Sequence, residues 1–178
     1  MSDNRAPILD AAALRRAFDR SFAAPLDGET RDTVDLVAIR VGEDPYALRM
    51  SDIAELHMDV KTTPCPGPLA ELLGIAGFRG ALVPVYDLAA LLGSVPSGRS
   101  WTVMSRNRQV AFAFTGFEGQ LRLDPTTITR NASDDAAESR ASILEIARHN
   151  GRVWPIIEIP SLVAAIRMRL PSALASKE

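Results

Sequence analysis

The chain has 178 residues, a formal net charge of −2 and an isoelectric point near 5.7, and 47% of its residues are hydrophobic. This apolar fraction suits one folded domain, or two small halves that share a core, and excludes wholesale disorder. The acidic balance disfavours nucleic-acid binding, the single Cys65 excludes an internal disulfide, and no apolar run approaches the ~20 residues of a membrane-spanning helix.

Residues 1–33 are predicted to be a helical extension followed by a linker. Leu14, Phe18 and Phe22 recur every four residues, which predicts an amphipathic helix over 8–22. Such a helix either packs back on the body of the protein or docks onto a partner.

Residues 34–93 are predicted to be rich in β-structure. We expect strands at 34–41, 46–50 and 81–86, a stiff proline loop at 61–68, a helical turn at 70–73 and a short helix at 87–92. The pattern of 53–58 fits a strand or a helix.

A polar linker at 94–100 precedes a second β-rich part, 101–166. Here we expect strands at 101–104, 109–114, 120–123, 143–147 and 152–157, a turn at 116–119, a helix at 161–170 and a tail at 171–178. The segment 129–140 is predicted to be a mobile acidic loop. Its Asp134, Asp135 and Glu138 suggest a cation site, although solvated loop charge is the commoner explanation.

Two stretches of the sequence align without a gap, namely GALVPVYDLAALL (80–92) and GRVWPIIEIPSLV (151–163). The matched pairs are Gly80 with Gly151, Pro84 with Pro155, and Asp87 with Glu158. A proline within a strand is tolerated at an edge or bulge, and a carboxylate at the start of a helix can accept free amide hydrogens. The upstream segments 37–48 and 101–112 also match as hairpins. The sequence therefore predicts two related β-rich halves, about 34–93 and 101–166, each forming a small barrel.

Groups suited to catalysis or metal binding are sparse. His57 and His149 have no partner at metal-ligand spacing, and the glycines of 74–80 lack the ending of a phosphate-binding loop. Asp87 and Glu158 could serve a small carboxylate-dependent hydrolase, but roles at helix starts explain both residues. We therefore predict a non-catalytic protein without cofactor or metal, whose sheet-rich surface binds partners.

The segment LGIAGFRGALVPVYDL (73–88), which includes Gly74, resembles the central signature of CheW-like domains. Other pieces follow in the family's order: 46–48 as the second strand, IAEL (53–56), and the proline-bearing 64–68. The resemblance covers about 34–166, within an expected domain of 34–170, and implies a mostly β fold of two five-stranded barrels.

The resemblance also implies partners and site residues. Arg79 would be the basic residue that faces a receptor, with Ile53 and Glu55 on the same surface and Phe78 and Gly80 beside it. Family members are scaffolds that link the cytoplasmic tips of methyl-accepting chemoreceptors to the regulatory domain of a CheA-type histidine kinase. We therefore expect a cytoplasmic adaptor recruited to membrane-bound receptor arrays, without membrane insertion, that self-associates there. The alternative is a scaffold of a type IV pilus or another chemosensory pathway.

Two residues and one segment depart from the family pattern. Gly77 replaces the usual asparagine, Phe78 replaces the usual leucine, and QVAFAFTG (109–116) lacks an aspartate common early in the second half. Together with the N-terminal extension, these departures predict a specialised pathway or a dedicated kinase partner.

Overall fold

The computed structural model describes residues 32–67, 69–96, 98–130 and 142–175, with side chains described through residue 170. Its strands are β1 Val34–Val41, β2 Asp44–Arg49, β3 Ile53–Met58, β4 Leu72–Phe78, β5 Ala81–Asp87, β6 Trp101–Ser105, β7 Ala111–Phe114, β8 Gly116–Leu123, β9 Ile128–Arg130, β10 Glu145–His149 and β11 Arg152–Ile157. Its α-helices are α1 Leu88–Leu91 and α2 Ile159–Ala175. The predicted helix at 8–22 and the acidic residues Asp134, Asp135 and Glu138 lie outside the described residues.

The strands form two mixed sheets. One is six-stranded, in the order β8-β1-β2-β11-β10-β9, and the other is five-stranded, in the order β3-β6-β7-β5-β4. All neighbouring strands are antiparallel except the pairs β2–β11 and β5–β7, which are parallel. The prediction of a mostly β protein with little helix is confirmed for the described residues.

Each sheet takes strands from both halves of the sequence. The six-stranded sheet joins β1 and β2 to β8–β11, and the five-stranded sheet joins β3–β5 to β6 and β7. The sheets therefore do not follow the predicted division into 34–93 and 101–166, because each half contributes its first hairpin to the sheet of the other half. Among the described strands, neither sheet closes into a barrel through hydrogen bonds between its end strands.

The two matched prolines occupy equivalent places in the two sheets. Pro84 lies in β5 one residue before the parallel ladder with β7 begins at Val85. Pro155 lies in β11 one residue before the parallel ladder with β2 begins at Ile156. Each proline is paired in the antiparallel ladder on the other side, with Ile75 or Ile146. Proline has no N–H to donate, and the position just before the parallel ladder accommodates it. The internal duplication of the sequence is thus also a duplication of hydrogen-bonding register.

Buried side chains form three hydrophobic clusters. One lies within the six-stranded sheet, one lies within the five-stranded sheet, and a shared core contains residues of both sheets and both helices. In β1, Leu36 and Ala38 enter the first cluster, while Val37 and Ile39 enter the shared core. Successive side chains of a strand point to opposite faces, so a strand buried on both faces has a nearly continuous apolar sequence.

Several predicted elements differ from the structure. Residues 70–71 form a turn, but strand Leu72–Phe78 takes up the second half of the helical turn expected at 70–73. The turn expected at 116–119 is part of strand Gly116–Leu123, Ile128–Arg130 is a strand at the start of the predicted loop, the strand expected at 143–147 lies at Glu145–His149, and α2 runs from Ile159 past Leu170 to Ala175. Glycines interrupt β4 and β8 and lower their intrinsic preference for strand, so pairing with β5 and β1 decides their structure.

Candidate functional site

The hairpin between β4 and β5 ends in a strained two-residue turn. Phe78 pairs with Ala81, and the turn residues Arg79 and Gly80 have φ angles of +47° and +85°. Positive φ at both central residues is the signature of a type I′ turn, which favours asparagine and glycine. For arginine the left-handed conformation costs about 1 kcal/mol. The turn leaves the Arg79 side chain 74% exposed.

The second sequence half contains the same turn with a residue that suits it. Asn150 and Gly151 join β10 to β11 with φ angles of +49° and +74°. Gly151 matches Gly80 in the internal alignment, so Asn150 is the counterpart of Arg79. The backbone of this turn therefore does not require arginine, and Arg79 calls for another explanation.

Arg79 contacts a largely buried carboxylate on β3. The Glu55 side chain is only 9% exposed, and its Oε1 lies 3.1 Å from Arg79 Nε and 2.7 Å from Arg108 Nη1. Its Oε2 lies 2.9 Å from His57 Nε2. We call these four residues the Glu55 cluster. One carboxylate thus forms ion pairs with two arginines and a hydrogen bond with a histidine.

Two opposing effects set the ionisation of Glu55. Desolvation raises the pKa of this carboxyl, but the hydrogen bond with His57 and the charges of Arg108 and Arg79 outweigh it and leave the pKa lowered. Glu55 is therefore ionised at neutral pH, and two guanidiniums oppose its one negative charge. The cluster presents excess positive charge at its exposed side.

The cluster joins the two ends of the five-stranded sheet. β3 and β4 are its end strands and are not paired with each other, yet Glu55 contacts Arg79, and the rings of His57 and Phe78 lie 5.1 Å apart. The sheet must therefore curve strongly. Phe78 is 6% exposed and packs in the hydrophobic cluster within this sheet. Its side chain therefore supports the turn and is not part of the exposed surface.

The structure brings most of the predicted receptor-facing residues together. Glu55, Phe78, Arg79 and Gly80 adjoin at the β4–β5 turn. Ile53 instead packs against the shared core, because a bulge in β3 between Ile53 and Glu55 changes the pairing with β6.

Sequence reasoning missed two members of the cluster. Arg108 lies in the turn between β6 and β7 with a φ of +56°, and the sequence singled out His57 only as a residue without a partner at metal-ligand spacing. Arg108 and Glu55 are far apart in the sequence, and a turn arginine by itself signals nothing more than exposed charge.

Gly74 permits the proline loop to pack directly on β4. Thr63 and Ile75 exchange two backbone hydrogen bonds of 2.8 and 2.9 Å there. Gly74 has a φ of +144°, and a Cβ at this position would lie 2.1 Å from the Thr63 carbonyl oxygen. Only glycine therefore fits this signature position.

The two matched carboxylates lie at helix starts. Asp87 is 2% exposed; its Oδ1 accepts a 3.2 Å hydrogen bond from the Ala90 amide at the start of α1, and its Oδ2 accepts a 2.6 Å hydrogen bond from Arg99 Nε. Glu158 immediately precedes α2, and its Oε2 accepts a 3.0 Å hydrogen bond from the Ser161 hydroxyl. Both carboxylates are thus engaged in local contacts.

Comparison with known proteins identifies the family to which this chain belongs. Residues 35–167 match a family model described as a CheW-like domain. The chain therefore belongs to the CheW-like domain family.

Two curated relatives carry chemotaxis names. The chain is 33% identical over 63 residues to a probable chemotaxis protein CheW of Rhizobium etli, and 34% identical over 59 residues to chemotaxis protein CheW of Rhizobium meliloti. These matches span 35% and 33% of this chain, and only 41% and 38% of the two relatives.

A solved structure shares the fold. The scaffolding protein TtCheW of Thermoanaerobacter tengcongensis superposes with a TM-score of 0.64 at 21% identity, over 71% of this chain and 89% of that protein. Within the described ranges, no helix is long and apolar enough to cross a membrane.

Proposed function

We propose that this chain is an adaptor of a bacterial chemosensory pathway, which couples the cytoplasmic tips of chemoreceptors to a CheA-type histidine kinase. The CheW-like family and the chemotaxis names of its relatives support the pathway. The observation that carries the receptor-binding role is Arg79, which is exposed, has a left-handed φ and forms an ion pair with the largely buried Glu55.

The contact with Glu55 prepares Arg79 for binding. An exposed arginine normally loses rotamer freedom when it enters an interface, and this loss weakens binding. Here the ion pair with Glu55 Oε1 at 3.1 Å already restricts the side chain, which at 74% exposed stays accessible. Strain is retained at positions where it serves a function, and a left-handed arginine where asparagine suffices is such a position.

Exposed apolar side chains would form the binding surface for the kinase. Leu82 is 73% exposed and Val153 is 40% exposed, and the internal alignment matches these two residues. Each lies two residues after the glycine of its hairpin turn, so both halves present an apolar side chain at an equivalent place. The kinase's regulatory domain would pack end to end against these surfaces, in the cytoplasm at receptor arrays.

Charge reversal tests the receptor surface. The affinity of the purified protein for a chemoreceptor cytoplasmic-tip fragment is measured for wild type and Arg79→Glu. We expect the variant to bind about tenfold more weakly or worse, because it places like charges across the interface. Arg122→Glu is the matched control, since Arg122 is 67% exposed on β8 in the other sheet. Unchanged affinity of a folded Arg79→Glu protein would contradict the assigned surface.

A further inference from the structure

Arg79 and Arg108 bind the same oxygen atom of the same glutamate. Arg79 Nε and Arg108 Nη1 lie 3.1 and 2.7 Å from Glu55 Oε1, so the two guanidiniums are neighbours. Their side chains are 74% and 52% exposed. Among the described residues, their other nitrogens make no further ion pair.

We propose that Arg79 and Arg108 together form a binding site for one side-chain carboxylate of the receptor, and that Glu55 is the positioning residue for both arginines. This inference rests on the proposed function, since it names a second arginine and the chemical group that the receptor surface supplies.

Charge favours a single carboxylate as the ligand. The two guanidiniums exceed the Glu55 carboxylate by one positive charge, which a receptor carboxylate would balance. Guanidinium groups bind carboxylates through short charge-assisted hydrogen bonds that fix geometry as well as charge. Because both arginines form ion pairs with Glu55 Oε1, their guanidiniums are kept close together before the receptor arrives.

The backbone gives independent support. Arg108, like Arg79, has a left-handed φ, +56°, in a turn between strands. Such values are uncommon for residues other than glycine, asparagine and aspartate. Two arginines at two strained turns, both directed at one carboxylate, are not explained by the needs of either turn.

The second half of the fold lacks the cluster. When 37–48 is aligned with 101–112, Arg40 matches Met104, which pairs with Glu55 on β3. The residue that pairs with Arg40 from the equivalent strand, β8, is Gly116. Glycine therefore stands where Glu55 would be, and Asn150 stands where Arg79 would be. The same architecture forms without these charges, so folding alone does not require them.

A double-mutant cycle tests the inference. Affinity for a chemoreceptor cytoplasmic-tip fragment is measured by titration calorimetry at two salt concentrations for wild type, Arg79→Ala, Arg108→Ala, the double variant and the control Arg122→Ala. We expect about fivefold weaker binding for each cluster variant and unchanged binding for the control. The double variant should lose less than the product of the two single losses, because both arginines bind one carboxylate.

Two further measurements separate binding from folding. Arg108→Lys keeps the charge but not the planar group, so its affinity should fall between those of wild type and Arg108→Ala. Changing the acidic residues of the receptor fragment one at a time to amides should reveal one position at which Arg108→Ala no longer weakens binding.

The possible failures are distinct. Wild-type binding that Arg79→Ala weakens and Arg108→Ala leaves unchanged would overturn this inference and leave the proposed function standing. An absence of wild-type binding would overturn the proposed function and the inference with it.

Discussion

Two requirements conflict at Arg79, because its turn favours asparagine and the proposed interface requires a guanidinium. Arg79→Asn should raise the free energy of unfolding by up to about 1 kcal/mol, because it relieves the left-handed strain. The lost ion pair offsets this gain only in part, since the Arg79 side chain is 74% exposed and Arg108 still pairs with Glu55. It should also weaken receptor binding. Urea unfolding and receptor titration measure the two effects. Asn150→Arg is the matched control and should destabilise the second turn. A less stable Arg79→Asn protein would show that the contact with Glu55 outweighs the strain.

Glu55 makes part of the stability depend on pH. Its pKa is lowered in the folded protein, so its contribution is complete above the ordinary glutamate pKa, about 4.3, and is lost as the pH falls through the folded value. Unfolding midpoints recorded between about pH 3 and pH 7 should fall in acid for wild type and fall less for Glu55→Gln. If the unfolding midpoints of wild type and Glu55→Gln fell equally with falling pH, then Arg79, Arg108 and His57 would not stabilise the ionised form of Glu55.

At the scale of elements, β4 depends on one glycine and tolerates change at another. Gly74→Ala should cost at least about 2 kcal/mol, because its Cβ would meet the Thr63 carbonyl at 2.1 Å and its φ is positive. Gly77→Ala in the same strand should be nearly neutral, since a Cβ there meets nothing within 4 Å. Chemical unfolding of the two variants measures the difference. Equal stabilities would contradict the close packing of the proline loop on β4.

Local chemistry explains which elements the sequence could predict. Alternating apolar residues and turn residues indicated the first hairpin, and Asp87 marked the start of a short helix. Glycine-rich β4 was missed, and the first half of β8 was predicted as a turn, because their structure depends on partner strands rather than on their own residues. The internal alignment identified equivalent elements in the two halves of the sequence. It does not show whether a hairpin pairs with strands of its own half or with strands of the other half.

The candidate site was predictable only in part for a similar reason. The resemblance of 73–88 to a family signature singled out Arg79, and IAEL singled out Glu55. Arg108 and His57 join them only through the curvature of the five-stranded sheet, which brings β3 and the β6–β7 turn to the β4–β5 turn. No periodicity or motif reports a contact that depends on curvature.

At the scale of the whole molecule, the exchange of hairpins makes the two halves interdependent. Fragments 1–96 and 97–178 each lack strands of both sheets, so neither should unfold cooperatively alone. Mixed together, they should regain a folded complex with the circular dichroism and elution volume of the intact protein. Cooperative unfolding of either fragment by itself would show that a single half can complete its own sheet.

The central claim is that this protein joins a receptor to a kinase, and co-sedimentation of all three components tests it most directly. A CheA-type kinase is mixed with receptor-bearing membranes, with and without this protein, and kinase in the pellet is measured. We predict that kinase sediments only when wild-type protein or the Arg122→Glu control is present, and that Arg79→Glu fails to recruit it. Kinase recovery that is the same without this protein, or the same with Arg79→Glu, would contradict the claim.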